Sequence, residues 1–109
     1  MAILSSWFFG MTEGGKFYAA GNVHDNPKFR DGEFITTSQI QMIQIYPDRF
    51  TIKTRNTSYD ALFTAFSAAD LFKDVFINAL VENGLSKATA ELLYKKAERI
   101  AKKSKKMAG

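Results

Sequence analysis

The chain contains no cysteine among its 109 residues. Disulfides, thiolate nucleophiles and zinc–thiolate sites are therefore excluded, and the absence fits a cytoplasmic protein. Histidine is represented by His24 alone, with no cysteine or second histidine to complete a metal-binding set. A structural place in a turn or at a strand end suits such a residue better than ligation. Neither a metal nor a cofactor is expected. Proline is scarce, and both residues, Pro27 and Pro47, stand where turns are read. Long apolar runs are missing too. Residues 1–9 are apolar in places but lack the basic start of a signal peptide and the length of a membrane span. Nucleophile-elbow, phosphate-loop and dinucleotide-binding signatures are absent. Asp25, Asp31 and Glu33 lie close in sequence, but closeness in sequence does not pair carboxylates. Ser38 follows two threonines and has no base beside it. An enzyme is not expected.

Aromatic residues, by contrast, are plentiful: ten phenylalanines, four tyrosines and one tryptophan. Apolar content of 46% and charged content of 24% are those of a globular chain. The length makes one domain, residues 1–109, with a modest core. Some of the aromatic surplus is then available for an interface or a stacking site, and a small chain of this kind is expected to form a homo-oligomer. Charge is unevenly placed. Residues 86–109 carry a net +6 while the rest carry −2, so an anionic partner is expected to meet the C-terminal segment.

Residues 21–40 organise the chain. They combine Gly21, an Asn26-Pro27 step, Phe29 between Lys28 and Arg30, an Asp31-Gly32 turn and the run Thr36-Thr37-Ser38. Proline fixes φ and glycine accepts positive φ, so the stretch reads as strand, shaped polar loop, strand. Such a loop is either a long hairpin connection or a ligand loop. Residues 3–9 and 17–24 read as strands, with Gly21 marking a bulge or a close backbone approach. Residues 34–46 form the longest strand candidate. Ile40 and Met42 share one face and Ile43 and Ile45 the other, which places a bulge near Met42 and Ile43. Turns at Pro47-Asp48 and at residues 55–58 separate two further strands.

The period changes at Ser67. Leu71, Phe72, Val75, Phe76, Ala79 and Leu80 recur at helical spacing, with Ser67 and Asp70 as a start signal and Asn83-Gly84 as a stop. Ser86 opens a second helix with Leu92, Leu93, Ala97, Ile100 and Ala101 on its apolar side. The fold class is α+β: an antiparallel sheet of five or six strands in residues 1–66, followed by a helical pair in residues 67–109. On the second helix Arg99 and Lys103 are one turn apart and share a face, bordered by Lys95, Lys96, Lys102 and Lys106. Two cations so spaced either grip a pyrophosphate or form a solvated basic face. Phe72 either stacks a base or belongs to the core.

The run from Gly21, Asn22 and Val23 through Asn26 to Gly32 and on to Ile35–Ile40, followed by alternating strands and two helices ending basic, resembles the first-described family of phage anti-Thoeris sponges. Those proteins sequester the cyclic ADP-ribose isomers made by bacterial immune TIR enzymes and do not degrade them. The resemblance implies a ligand held by a phenylalanine near the first helix, an asparagine of the helical region and two basic residues of the last helix. Those roles fall to Phe72, Asn83, Arg99 and Lys103. Lys103 supplies a point charge where an arginine would grip bidentately. Dimers or larger oligomers with sites between subunits are implied too, as is a further ligand class, cyclic oligonucleotides, bound by some members. The expected partner is thus a small cyclic nucleotide, with no membrane and no nucleic acid. Two other classes fit the composition. One is a phage-encoded protein inhibitor, such as an anti-CRISPR, using its aromatic surface; the other is a small nucleic-acid binder using its basic tail.

Overall fold

Alternating apolar residues and turn-forming steps divide the first two-thirds of the chain into six strands. In the computed structural model, which describes residues 2–108 and their side chains as far as Ser104, these are β1 (Ala2–Met11), β2 (Phe17–His24), β3 (Glu33–Thr36), β4 (Ile40–Ile45), β5 (Arg49–Thr54) and β6 (Ser58–Leu62). Short 3-10 turns at Phe63–Ala65 and Asp70–Phe72 lead to α1 (Lys73–Glu82) and α2 (Lys87–Ala108). The architecture is α+β. The sheet order is β3-β2-β1-β6-β5-β4, antiparallel except where β6 lies parallel to β1. The sheet is therefore mixed. Local hairpin signals foretell the antiparallel pairs, whereas the parallel pair joins strands some fifty residues apart.

The expected long strand over residues 34–46 is in fact two strands, and they form opposite edges of the sheet. A flat six-stranded sheet holds its edges about 24 Å apart. The chain from Thr36 to Ile40 can reach at most about 14 Å. The sheet must therefore curl until its edges approach, leaving a seam between β3 and β4 that no ladder closes. The bulge lies between Ile40 and Met42, so Ile40 and Ile43 point inward while Met42 is exposed; Ile45 follows Ile43 on the inner face but is exposed at the end of the edge strand. The shift separates Ile40 from Met42, which were expected on one face, whereas Ile43 and Ile45 share a face as expected because the ladder between them is regular.

Curling creates a concave face, and large side chains fill it. Leu4, Trp7, Phe9, Val23, Phe50, Ile52 and Phe63 are fully buried there, and Phe76 and Leu80 of α1 close the open side. Trp7 satisfies its indole N–H by donating to the Leu62 carbonyl at 2.7 Å. Helix α2 contributes Ala90, Tyr94, Ala97 and Ala101, a narrow buried stripe at helical spacing. Leu92, expected on that stripe, is 67% exposed. Ser86 does cap α2, its hydroxyl accepting the Thr89 N–H at 3.1 Å, and Gly84 turns the chain at φ 96°. Ser67 does not cap α1. Its N–H donates to the Trp7 carbonyl at 2.8 Å, in an extended segment that precedes the helix by several residues.

The glycine of β2 is read correctly as a close approach, and the bulge it permits lies across the ladder. β1 shifts register between Ser5 and Phe8, with Ser6 at φ 48°. A Cβ on Gly21 would stand 2.8 Å from the Ser5 carbonyl oxygen and 3.1 Å from the Trp7 Cα, and backbone cannot yield as a side chain can. Gly21→Ala is expected to cost about 1–3 kcal/mol, read as a fall in melting temperature. An unchanged melting temperature would contradict this packing.

Candidate functional site

The loop between β2 and β3 is fastened at its base by its own polar residues. Asn22 Nδ2 donates to the Gly32 carbonyl at 2.9 Å, and Gly32 N–H returns a bond to Val23. Asp31 accepts the Asp25 N–H on one carboxylate oxygen and His24 Nδ1 on the other, both at 3.2 Å. The other ring nitrogen, Nε2, hydrogen-bonds the Ser5 hydroxyl at 2.9 Å. Asp25 at φ 59° and Gly32 at φ 85° supply the left-handed corners. The order Ser5–His24–Asp31 is that of hydrolytic triads. Here the carboxylate is 72% exposed and shared with a backbone N–H, and the three side chains tie β1, β2 and the loop together. Sequence reading assigns His24 a strand-end role. It misses the partnership with Ser5, which comes from the β1–β2 ladder.

The His24 hydrogen bond, followed by the Asp25 N–H, holds the Asp31 carboxyl below its ordinary 3.8. A carboxylate with a depressed folded-state pKa stabilises the fold above the unfolded value, and that contribution is lost as pH falls through the folded value. The loop base is therefore expected to hold unchanged down to about pH 4 and to loosen below it, seen as faster amide exchange at Asp25. Exchange at Asp25 that stays flat to pH 2.5 in a folded chain would count against this clasp.

Among the described residues no hydrogen bond, ion pair or ring contact joins the four residues expected to hold a ligand. Phe72 is the residue before α1; its ring lies nearly parallel to Phe8 at 4.2 Å on the outer side of the sheet, half-buried. Phe34, 56% exposed, stands 6.3 Å from the same Phe8 ring, and neighbouring Leu71, expected on the apolar face, is 82% exposed. Asn83 ends α1, and its side-chain amide donates to the Ala79 carbonyl at 2.9 Å, so one donor is spent on the helix end. Arg99 and Lys103 lie exposed on α2, aligned with exposed Lys95 at four-residue steps. Neither has a carboxylate partner among the described residues. Glu98, the nearest acid in sequence, takes Lys102 at 3.6 Å and the Tyr94 hydroxyl at 3.4 Å. Lys96 is turned inward over the Phe63 ring at 5.8 Å, so it leaves the basic face that sequence reading gave it. The side chains of Lys105 and Lys106, the latter expected to border that face, lie outside the described residues.

Three cavities formed by the described residues differ sharply in charge. One, about 310 Å³, is lined by Tyr46, Pro47, Asp48, Arg49, Thr51 and Asp60. Its only cation is already committed: Arg49 holds Asp48 at 3.0 Å and Asp60 at 3.5 Å. Thr51 donates to Asp60 at 2.9 Å, and the arginine keeps the Asp48 carboxyl below its ordinary range. Two carboxylates around one guanidinium repel phosphate. A second cavity, about 160 Å³, lies beside the β1 bulge among Ser5, Ser6 and residues 64–67, without a charged group. The third, also about 160 Å³, lies at the seam and is lined by Lys28, Phe29, residues 36–38, Thr54, Asn56, Thr57 and Tyr59. It has a cation and no acid. Burial pushes the Tyr59 phenol up despite a hydrogen bond with Thr57, so Tyr59 stays neutral at physiological pH. Phe72, Asn83, Arg99 and Lys103 line none of the three.

Among the described residues no three His, Cys, Asp or Glu side chains gather as a metal site, and no helix is long and apolar enough to cross a membrane. Against protein-family models, curated proteins and solved structures, the chain matches none.

Proposed function

We propose that the chain is a sponge of the anti-Thoeris kind, which captures a cyclic ADP-ribose isomer and holds it without breaking it. The observation that carries this reading is the outer side of α2, where Arg99 and Lys103 stand one turn apart, exposed, and with no carboxylate to neutralise them among the described residues. A pyrophosphate spans such a pair, and each cation gives it a charge-assisted hydrogen bond. Phe72 adds a ring already backed by Phe8, so an adenine laid over it costs little ordering. The ring and the cations stand on separate elements, Phe72 ahead of α1 and the cations on α2. A second copy completes the site, one copy giving the ring and the other the cations. The exposed Phe34 and Leu71 beside Phe72 give that copy an apolar surface to cover.

Self-association is accordingly expected. Light scattering at micromolar protein should give a mass at least double the 12.2 kDa of one chain. A monomer would remove the shared site. Binding itself is tested by calorimetry with a cyclic ADP-ribose isomer beside a generic DNA duplex. Saturable binding of the isomer is expected; steeply salt-dependent binding of the duplex alone would make this a nucleic-acid binder instead.

A further inference from the structure

The seam cavity is built unlike the other two, and its construction begins in the fold. The curled sheet brings the β3–β4 connection against the turn between β5 and β6, and the β2–β3 loop covers the junction. That loop is preorganised. Asn26 turns it by accepting the Lys28 N–H on its side chain at 3.0 Å and the Phe29 N–H on its carbonyl at 3.1 Å. Phe29 packs against the core, which fixes the position from which Lys28 reaches the cavity.

Most hydroxyls around the cavity are already in use. Thr37 accepts the Ala19 N–H and donates to the Ser38 carbonyl, and Thr54 exchanges bonds with the Thr57 backbone. Ser38 is the exception. Its Oγ is buried and has no hydrogen-bond partner, the one such side-chain atom among the described residues. A buried hydroxyl without a partner is costly and marks a place where another molecule supplies the bond. Lys28 adds a positive charge, exposed Thr36 and Asn56 add polar groups at the rim, and no carboxylate opposes an anion. At about 160 Å³ the space is smaller than a drug-sized pocket. It suits one tetrahedral group whose remaining substituent lies in solvent.

We propose that this seam is a phosphate site, in which Lys28 neutralises the group and the covered Ser38 hydroxyl rotates about χ1 to donate a hydrogen bond to it. The ligand is inorganic phosphate or the terminal phosphate of a phosphomonoester. The site is separate from the α2 face and does not depend on it.

Amide chemical-shift titration tests this with three probes: inorganic phosphate, adenosine 5′-monophosphate and adenosine. Both phosphates are expected to move the amides of residues 36–39 and 54–57, and adenosine is not. Tighter binding of the monoester than of inorganic phosphate assigns the site to a phosphomonoester; equal binding assigns it to the free ion. Lys28→Ala, at an exposed position that leaves the fold intact, should weaken binding about tenfold, and Ser38→Ala about three- to tenfold. Arg99→Ala should leave these shifts unchanged, which keeps the test apart from that of the α2 face. Shifts confined to α2, or parental affinity in Lys28→Ala, would overturn the proposal. So would a parent protein that binds no phosphate; Ser38→Ala melting higher would then assign the unpartnered hydroxyl to a local packing cost alone.

Discussion

Arg99→Ala is expected to weaken capture of a cyclic ADP-ribose isomer ten- to hundredfold, and Lys103→Ala to do the same or somewhat less. A hydrogen bond to a charged group contributes about 1.5–3 kcal/mol, and 1.4 kcal/mol is a factor of ten in affinity. Arg99 offers a planar fork that engages two oxygens, whereas Lys103 offers one compact charge, so the arginine should matter more. Both are exposed on α2, away from its buried stripe of Ala90, Tyr94, Ala97 and Ala101, and the melting temperature should not move. Lys16→Ala, in the turn between β1 and β2, removes an exposed charge elsewhere and is the control. Phe72→Ala tests the other half of the shared site. Its ring is half-buried against Phe8, so some stability should be lost along with affinity. Loss of melting temperature without loss of affinity would assign Phe72 to packing alone. Parental affinity in both Arg99→Ala and Lys103→Ala would leave the basic face a solvated one.

The largest loss of stability is expected from Phe76→Ala. Phe76 is fully buried, and its ring meets those of Phe9, Phe50, Phe66 and Tyr94 at centroid distances of 5.2–5.8 Å. One side chain thus joins α1 to two strands, to the segment after the sheet and to α2. Truncating a buried phenylalanine costs about 3–5 kcal/mol, a large share of the roughly 5–15 kcal/mol that holds a domain of this size. Thermal unfolding should shift down by some 15 °C or more. Leu71→Ala, five residues earlier and 82% exposed, should stay within about 0.5 kcal/mol of the parent as a monomer. Similar effects from the two substitutions would contradict this core.

The parts of the fold readable from sequence are those fixed by neighbours in the chain. Asn26-Pro27 and Asp31-Gly32 specify the β2–β3 loop, Pro47-Asp48 the β4–β5 turn, and Gly84 followed by Ser86 the break between helices; each appears where its turn chemistry places it. What escaped was set by distant partners. Residues 37–39 contain neither glycine nor proline, so nothing local announces that the strand stops there; it breaks because the sheet curls. The parallel pairing of β6 with β1 has no local signature. Helical spacing places Leu71 and Leu92 among buried residues, but α1 begins only at Lys73, and α2 seats an alanine-rich stripe too narrow to include Leu92.

The candidate site divides in the same way. That Arg99 and Lys103 share an exposed face follows from a four-residue step on a helix. That Lys96 turns inward over Phe63 and Lys102 pairs with Glu98 does not, because both depend on what the helix packs against. The buried Ser38 hydroxyl was beyond sequence altogether. Its surroundings come from three separate connections brought together at the seam.

The most direct test of capture without chemistry is a titration followed by recovery. The protein is titrated in a calorimeter with a cyclic ADP-ribose isomer, then denatured by heat, and the released nucleotide is separated by chromatography. Saturable binding, with the isomer returned at its original mass and amount, is the result sequestration predicts. Absence of heat with every isomer, or linear ADP-ribose accumulating with turnover, would contradict it.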